Sequence, residues 1–374
     1  MISERRVVVG MSGGVDSSVA AYLLKAQGYD VIGVTMKVWP QDCMSRAEDK
    51  CCGPQAVADA RGVAHALGIP HYVVDEAEAF EKTVIDYFAS EYQQGRTPNP
   101  CVMCNEKLKF GNLMEKATRL GAKYIATGHY AQIVEESGQF ILKRGVDARK
   151  DQSYFLFSLR QEQLARSLMP IGDKTKTEIR AIAEKLGLKV YDKEESQEIC
   201  FVPGNDYTDF LRSHVGAENF RKGGIYDLQG NYLGEHEGIE FYTIGQRKGL
   251  GGGSQGPRYV VDIDAKQHRV IVGGANDLLR DSFTIGRCLW HFKGSVPDAF
   301  DVEVKVRHQH ASCSATVFPQ ANQAALVKLK EPQRAITPGQ AAVCYLGDRV
   351  MGGGWIEREV ALLAKETAVA TIGK

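Results

Sequence analysis

Short β-branched apolar runs alternate with longer helix-forming stretches through the first half of the chain. Strands are predicted at Val7 to Gly10, Val31 to Met36, His71 to Val74 and Tyr124 to Thr127. Helices are predicted at Ser17 to Gln27, Gln55 to Leu67, Phe80 to Tyr92 and Lys107 to Leu120. Strand–helix alternation of this kind predicts an α/β domain with a doubly wound parallel sheet, whose ligand sites collect at the carboxyl ends of the strands.

The pattern changes after about residue 205. Glycine becomes frequent, at Gly223, Gly224, Gly230, Gly234, Gly238, Gly245, Gly249 and Gly251 to Gly253, and short runs such as Arg258 to Asp262 and Arg269 to Gly273 replace the long helices. From Phe283 onward, Asp301 to Val306, Ser314 to Phe318 and Ala325 to Leu329 alternate with turns, the pattern of a compact β-barrel. The expected organisation is a nucleotide-binding catalytic domain over residues 1–205, a small central domain over 206–276 and a C-terminal β-barrel over 277–365. Residues from Glu366 onward are expected to form a frayed tail.

Between the first predicted strand and helix lies Gly10-Met11-Ser12-Gly13-Gly14-Val15-Asp16-Ser17. Glycines let the backbone approach an anion closely, and the amides and dipole of a helix start attract phosphate. Ser12 and Ser17 add hydroxyl donors. No Gly-Lys-Ser/Thr follows, and Gly-x-Gly-x-x-Gly is absent. The plainer reading is a glycine-rich turn with Ser17 as N-cap. Met36 and Gly128, at the ends of the second and fourth predicted strands, would converge on the same crevice; Met36 is either an adenine contact or core packing. The loop resembles that of the PP-loop ATP pyrophosphatases. That resemblance implies cleavage of ATP to AMP and pyrophosphate, with the adenylate activating a carbonyl oxygen.

Composition narrows the class. The chain has 374 residues, 44% hydrophobic and 25% charged, as in a soluble globular protein of two or three domains. No apolar stretch reaches the length of a membrane span, and the N-terminus runs straight into the first strand, so a cytoplasmic location is expected. Net charge is zero, yet Lys143 to Lys189 holds eleven Lys/Arg against six Asp/Glu. Such a local surplus marks either a polyanion-binding patch or a solvated helical surface.

Nine cysteines, an odd number, argue for reduced, catalytic or metal-binding thiols. Thr97-Pro98-Asn99-Pro100 predicts a rigid extended segment, after which Cys101-Val102-Met103-Cys104 would open a helix near Asn105. A thiol at a helix start is favoured as thiolate, which would suit Cys104 for attack. Cys200 follows in the loop-like stretch Ser196 to Pro203. Two reactive thiols brought together would let one carry a persulfide while the other releases its sulfur as a disulfide forms. The alternatives are core packing of small thiols, or a metal site. Zinc would want a fourth ligand, whereas Cys101, Cys104 and Cys200 with an open position would suit an iron–sulfur cluster of the [4Fe–4S] type. Cys43, Cys51 and Cys52 remain unassigned.

These motifs occur in order with Ala126 to Tyr130, Lys150 to Leu156, Thr243 to Leu250 and Thr337 to Gln340. Together they closely resemble the bacterial tRNA-specific 2-thiouridylases over nearly the whole chain. The resemblance implies a tRNA-uridine 2-sulfurtransferase that uses ATP with Mg2+ on the wobble uridine of tRNAs for Lys, Glu and Gln. Its sulfur would come from a cysteine desulfurase, directly or through relay proteins. It further implies a nucleophilic Cys104, a persulfide-bearing Cys200, ATP contacts at residues 10–17, Met36 and Gly128, and target-base contacts at Asn99, Pro100 and Cys101. Contacts to tRNA are implied for His129, Lys150, Asp151, Gln152, Arg307, His308 and Gln340. Many family members carry Asp at the position of Cys101. A thiol titrates several units above a carboxylate, so Cys101 is left between a base-holding role and a cluster ligand. Two other classes stay open: an amidating synthetase using the same loop, and a non-catalytic iron–sulfur RNA-binding module.

Overall fold

The computed structural model describes residues 3–38, 53–193, 199–202, 204, 206–250 and 256–358. Cys43, Cys51, Cys52, Ser196 to Glu198, Pro203, Gly251 to Gly253 and the tail from Glu366 lie outside the described residues.

The first half folds as β1 (Ser3–Gly10), α1 (Val15–Ala26), β2 (Asp30–Lys37), α2 (Pro54–Leu67) and β3 (His71–Asp75). Next, α3 (Ala77–Phe80) continues through a π-helical turn, Glu81–Ile85, into α4 (Asp86–Gln93). A second interrupted helix follows: α5 (Pro100–Met103), a π-helical segment Cys104–Asn112, and α6 (Leu113–Arg119), leading to β4 (Ala122–Ala126). A hairpin of β5 (Ala131–Glu136) and β6 (Gln139–Arg144), then α7 (Gln161–Leu164), β7 (Ser167–Leu168) and α8 (Lys176–Lys185), complete this half.

The parallel sheet has the order β3-β2-β1-β4-β7. Val7, Val8 and Val9 of β1 are fully buried, because β1 is flanked by strands on both sides and covered by helices on both faces. Each such side chain contributes about 1.5–3 kcal/mol of apolar burial. Strand order reverses at β1, with β2 on one side and β4 on the other, and a crevice opens at the carboxyl ends of β1 and β4. The expected doubly wound sheet is therefore present.

After α9 (Tyr207–Val215), a smaller sheet of β8 (Gly223–Asp227), β9 (Tyr232–His236), β10 (Tyr259–Asp264) and β11 (Arg269–Gly273) pairs in the order β10-β11-β8-β9. The last six strands are β12 (Leu279–Trp290), β13 (Phe300–Lys305), β14 (Cys313–Gln320), β15 (Ala324–Arg334), β16 (Ala341–Leu346) and β17 (Arg349–Ile356). They close as β12-β15-β14-β13-β16-β17 through a β12–β17 pairing, giving the expected C-terminal barrel. The β5–β6 hairpin, although embedded in the first half of the chain, adds to this barrel sheet where Lys143 pairs with Arg349. Its apolar side feeds one cluster in which Leu142, Tyr154 and Phe157 meet Ala341, Tyr345 and Trp355, so the barrel is packed directly on the α/β domain.

Candidate active site

The phosphate loop sits at the β1–β4 crevice. Met11 N donates to Val34 O at 2.8 Å, and Thr35 Oγ1 donates to Met11 O at 2.8 Å, fixing the loop to the end of β2. Helix α1 begins at Val15, two residues before the predicted start, with Gly14 as N-cap and no side chain capping it. Ser17 is accordingly not the N-cap. Its hydroxyl donates to Gly14 O at 3.2 Å and accepts from Ser12 N at 3.2 Å, holding the turn from inside. Gly13 has φ +69°, and a Cβ there would lie 2.2 Å from Ala56 O, so only glycine lets the loop rest on the start of α2. Gly128 packs over the first turn of α1, where a Cβ would come within 2.7 Å of Asp16 C and Ser17 N. The loop and Gly128 thus meet at one helix start whose amides are left without a capping side chain, the geometry of an anion site. Met36 is half-buried between two apolar clusters.

Two residues that sequence reasoning did not single out hold Asp16. Lys176 Nζ lies 2.8 and 2.9 Å from its two carboxylate oxygens, and Tyr130 Oη donates to Oδ1 at 2.7 Å. Lys176 is aimed there because Thr175 and Glu178 form a capping box at the start of α8 and its own N–H donates to Asp147 Oδ2. Lys193 Nζ adds a contact to Gly13 O at 3.3 Å and to Asp59. Lys176 also lines a groove of about 560 Å³ with Asp147, Arg149, Lys150, Arg180 and Glu184, the part of the basic stretch that forms a concave surface.

The helix that carries Cys101 and Cys104 packs on the other face of the sheet from α1: its Val102 and Leu113 join the cluster of Val8, whereas Val15 and Val19 of α1 join that of Val7 and Val9. Helix α5 starts at Pro100, not near Asn105, with Asn99 as N-cap accepting from Val102 N at 3.4 Å and proline in the first turn. The helix start therefore falls at Cys101, which is exposed, while Cys104 lies a turn further on where the π-helical segment begins. A dipole effect confined to the first turn acts on Cys101 more than on Cys104, reversing the expectation from sequence. Cys104 and Cys200 are half-buried and packed against one cluster, built by Phe80, Phe88, Leu108 and Phe201 and also touched by Met36. The two cysteines, 96 positions apart in sequence, thus border the same cluster. Among the described residues no three His, Cys, Asp or Glu side chains are grouped so as to hold a metal ion.

Several of the residues expected to contact RNA also hydrogen-bond within the protein. Asp151 is buried, and its carboxylate accepts from Gly145 N, Ser153 N and Ser153 Oγ at 3.0–3.1 Å. Gln152 exchanges hydrogen bonds with the Tyr130 backbone at 3.1 and 2.9 Å. His129 is buried with Nδ1 2.7 Å from Thr127 Oγ1, and burial, aided by Lys109, holds its pKa well below the usual imidazole range. His308 lies 3.1 Å from Asp151 O and against the ring of Phe155, and burial lowers its pKa too. Arg307 Nη2 faces Ile244 O, Ala335 O and Thr337 Oγ1. Gln340 Nε2 donates to Thr97 O at 3.1 Å and Pro98 O at 2.8 Å. By contrast, Arg247 and Lys248 are exposed and Lys150 is half-exposed on the groove.

Comparison with known proteins agrees with this division of the chain. Residues 5–204 match the family described as tRNA methyl transferase HUP domain, 208–274 the tRNA methyl transferase PRC-barrel domain and 280–356 the aminomethyltransferase β-barrel domain. The chain is 51% identical over 361 residues to the tRNA-specific 2-thiouridylase MnmA 1 of Caldanaerobacter subterraneus subsp. tengcongensis, covering 96% of this chain and 99% of that protein. It is 46% identical over 355 residues to the tRNA-specific 2-thiouridylase MnmA of Clostridium acetobutylicum, covering 95% and 100% respectively. It is also 46% identical over 356 residues to the enzyme of that name from Acidithiobacillus ferrooxidans, covering 95% and 99%.

Proposed function

The chain belongs to the tRNA-specific 2-thiouridylase family, and from that premise we propose that it thiolates carbon 2 of the wobble uridine of tRNA by way of a Cys200 persulfide and an adenylated uridine. It is a tRNA sulfurtransferase, and the observation that carries the finer reading is the packing of both Cys104 and Cys200 on one cluster that Met36, at the end of β2, also touches. Two thiols on one cluster of a domain that carries such a loop fit activation followed by sulfur transfer better than methyl transfer.

In this reading ATP binds with its phosphates at residues 10–17 and the first turn of α1, under Gly128. Magnesium would come with the triphosphate, since the loop offers one carboxylate, Asp16, already paired with Lys176. The O2 of the flipped-out uridine attacks the α-phosphorus and pyrophosphate leaves, which turns the oxygen into a good leaving group. The terminal sulfur of the Cys200 persulfide attacks carbon 2 and AMP departs. The Cys104 thiolate then attacks Cys200 Sγ and breaks the S–S bond to the transferred sulfur. The thiouridine is released and a Cys104–Cys200 disulfide remains, which an external dithiol must reduce. A cysteine desulfurase, directly or through relay proteins, supplies the persulfide. Asn99, Pro100 and Cys101 stand at the helix start where the base would enter, and the groove lined by Arg149, Lys150 and Arg180, with exposed Arg247 and Lys248, offers cations for tRNA phosphates. Excluding water around the adenylate protects it from hydrolysis.

The test supplies ATP, tRNA and a desulfurase with cysteine, and follows pyrophosphate and 2-thiouridine together. Cys200→Ser is expected to release pyrophosphate without forming 2-thiouridine. Full thiolation by the Cys104→Ser, Cys200→Ser double variant would overturn the persulfide route.

A further inference from the structure

We infer that the barrel loop at residues 337–340 is a latch that sets the position of the Asn99–Cys104 helix start, with Gln340 as a positioning residue. The consequence for catalysis rests on the thiolation reading; the latch itself rests on the geometry between the two domains.

Pro98 and Pro100 have no N–H, and Pro98, Asn99 and Pro100 are buried, so every second position of the segment leading to the thiols lacks a backbone donor. Its carbonyls at Thr97 and Pro98 are instead satisfied by the side-chain amide of Gln340. The exchange is mutual, because Thr97 N donates to Pro338 O at 2.8 Å. Gly339 makes the approach possible. With φ +90° it lies so close that a Cβ would come 2.8 Å from Thr97 O and 2.9 Å from Glu91 Oε2. Ala341, which follows Gln340, accepts at its carbonyl from the fully buried Tyr154 hydroxyl at 2.8 Å.

The loop is held from behind as well. Gly339 N donates to Ile356 O and Ile356 N to Gln340 O, which tie it to β17. Arg307 gathers Thr337 Oγ1, Ala335 O and Ile244 O, which joins it to the central domain. On the other side Arg96 bridges Glu91 of α4 and Glu357 at the barrel's end, at 2.8 and 2.7 Å. The chain passes from this clamp through two prolines straight into the helix that carries Cys101 and Cys104. A shift of the barrel is therefore transmitted to the thiols along a stiff path.

The test uses the full-length protein without tRNA or ATP, and measures iodoacetamide alkylation of each cysteine by peptide mass spectrometry. In Gln340→Leu and in Gly339→Ala, Cys104 is expected to react about fivefold faster, the population change that follows from losing a net hydrogen bond. Cys313, half-buried in the barrel, serves as reference, and silent Cys288 and Cys344 verify an intact barrel. Should Gly339→Ala loosen the barrel as a whole, Gln340→Leu, which introduces no added bulk at the glycine, decides alone. Unchanged Cys104 reactivity in Gln340→Leu, with weakened tRNA binding, would assign Gln340 to RNA contact and overturn the latch. With tRNA added, the latch predicts a lower kcat at little changed tRNA affinity. A parent protein that fails to thiolate would count against the functional reading alone, since alkylation involves neither substrate.

Discussion

The Lys176 ammonium straddles both carboxylate oxygens of Asp16, at 2.8 and 2.9 Å, and so ties the first turn of α8 to the first turn of α1. The pair is mostly shielded, with side-chain exposures of 11% and 31%, and Tyr130 completes it. Lys176→Met leaves the carboxylate with a hydroxyl alone. A loss of about 1 kcal/mol in stability is expected, kept modest by the exposure of Asp16. Pyrophosphate release is expected to fall by about tenfold or more as the loop loses its fixed geometry. Urea unfolding and a pyrophosphate assay check the two effects separately, and parental release rates in Lys176→Met would show that the pair is structural only.

Cys104 and Cys200 both sit on one apolar cluster, which leads to a prediction about their state after reaction. A single turnover with persulfide-loaded protein and no reductant is expected to form one Cys104–Cys200 disulfide for each 2-thiouridine. Non-reducing peptide mapping measures the disulfide directly. Thiolation that leaves both thiols open to alkylation would mean that the sulfur is released by another group.

Much of the fold was legible because β1 and β2 are buried on both faces and therefore read as β-branched runs. The phosphate loop was legible for a related reason, since its close approach to Ala56 demands glycine. The start of α5 was signalled by Asn99 and Pro100, an N-cap followed by proline, but the two prolines read equally well as an extended segment. The π-helical segment at Cys104 has no sequence signature, and neither does the pairing of Lys143 with Arg349, which depends on how two domains dock. Arg307 and Gln340 make contacts inside the protein that the sequence does not show. A polar side chain in sequence looks available for a ligand, and only the tertiary structure reveals the buried carbonyls that occupy it.

Not all thiols should respond alike to alkylation. Cys288 is buried in the barrel core and its pKa is pushed up to about 12 by burial, with Cys344 raised further by the same cause. Both remain protonated from pH 6 to 9 and are expected to label only on unfolding, whereas exposed Cys101 labels first. Cys344→Ser places an unmatched hydroxyl in an apolar core and is expected to cost about 1–3 kcal/mol. Cys101→Ser should stay within about 0.5 kcal/mol of the parent. Denaturant midpoints check the pair, and equal losses at the two positions would contradict the burial argument.

Acid should weaken the fold through buried imidazoles. His129 and His291 are both buried, and desolvation lowers both pKa values below 6.5, although His291 gains a partial offset from Phe157 O. Above pH 6.5 folded and unfolded forms are alike neutral at these groups, so they contribute no pH dependence. Below it the unfolded chain binds more protons, so stability falls with pH until the lower folded-state pKa is reached. The slope is about 1.4 kcal/mol per pH unit for each such group. His129→Gln is the sharper test because its site adjoins Gly128 over the phosphate loop and it shows the deeper shift. The variant is expected to be less stable at pH 7.5, through loss of the Thr127 contact, yet to lose less stability than the parent between pH 7.5 and 5.5. Urea midpoints across that range measure the slope, and an unaltered slope in His129→Gln would place the proton-linked step on other residues.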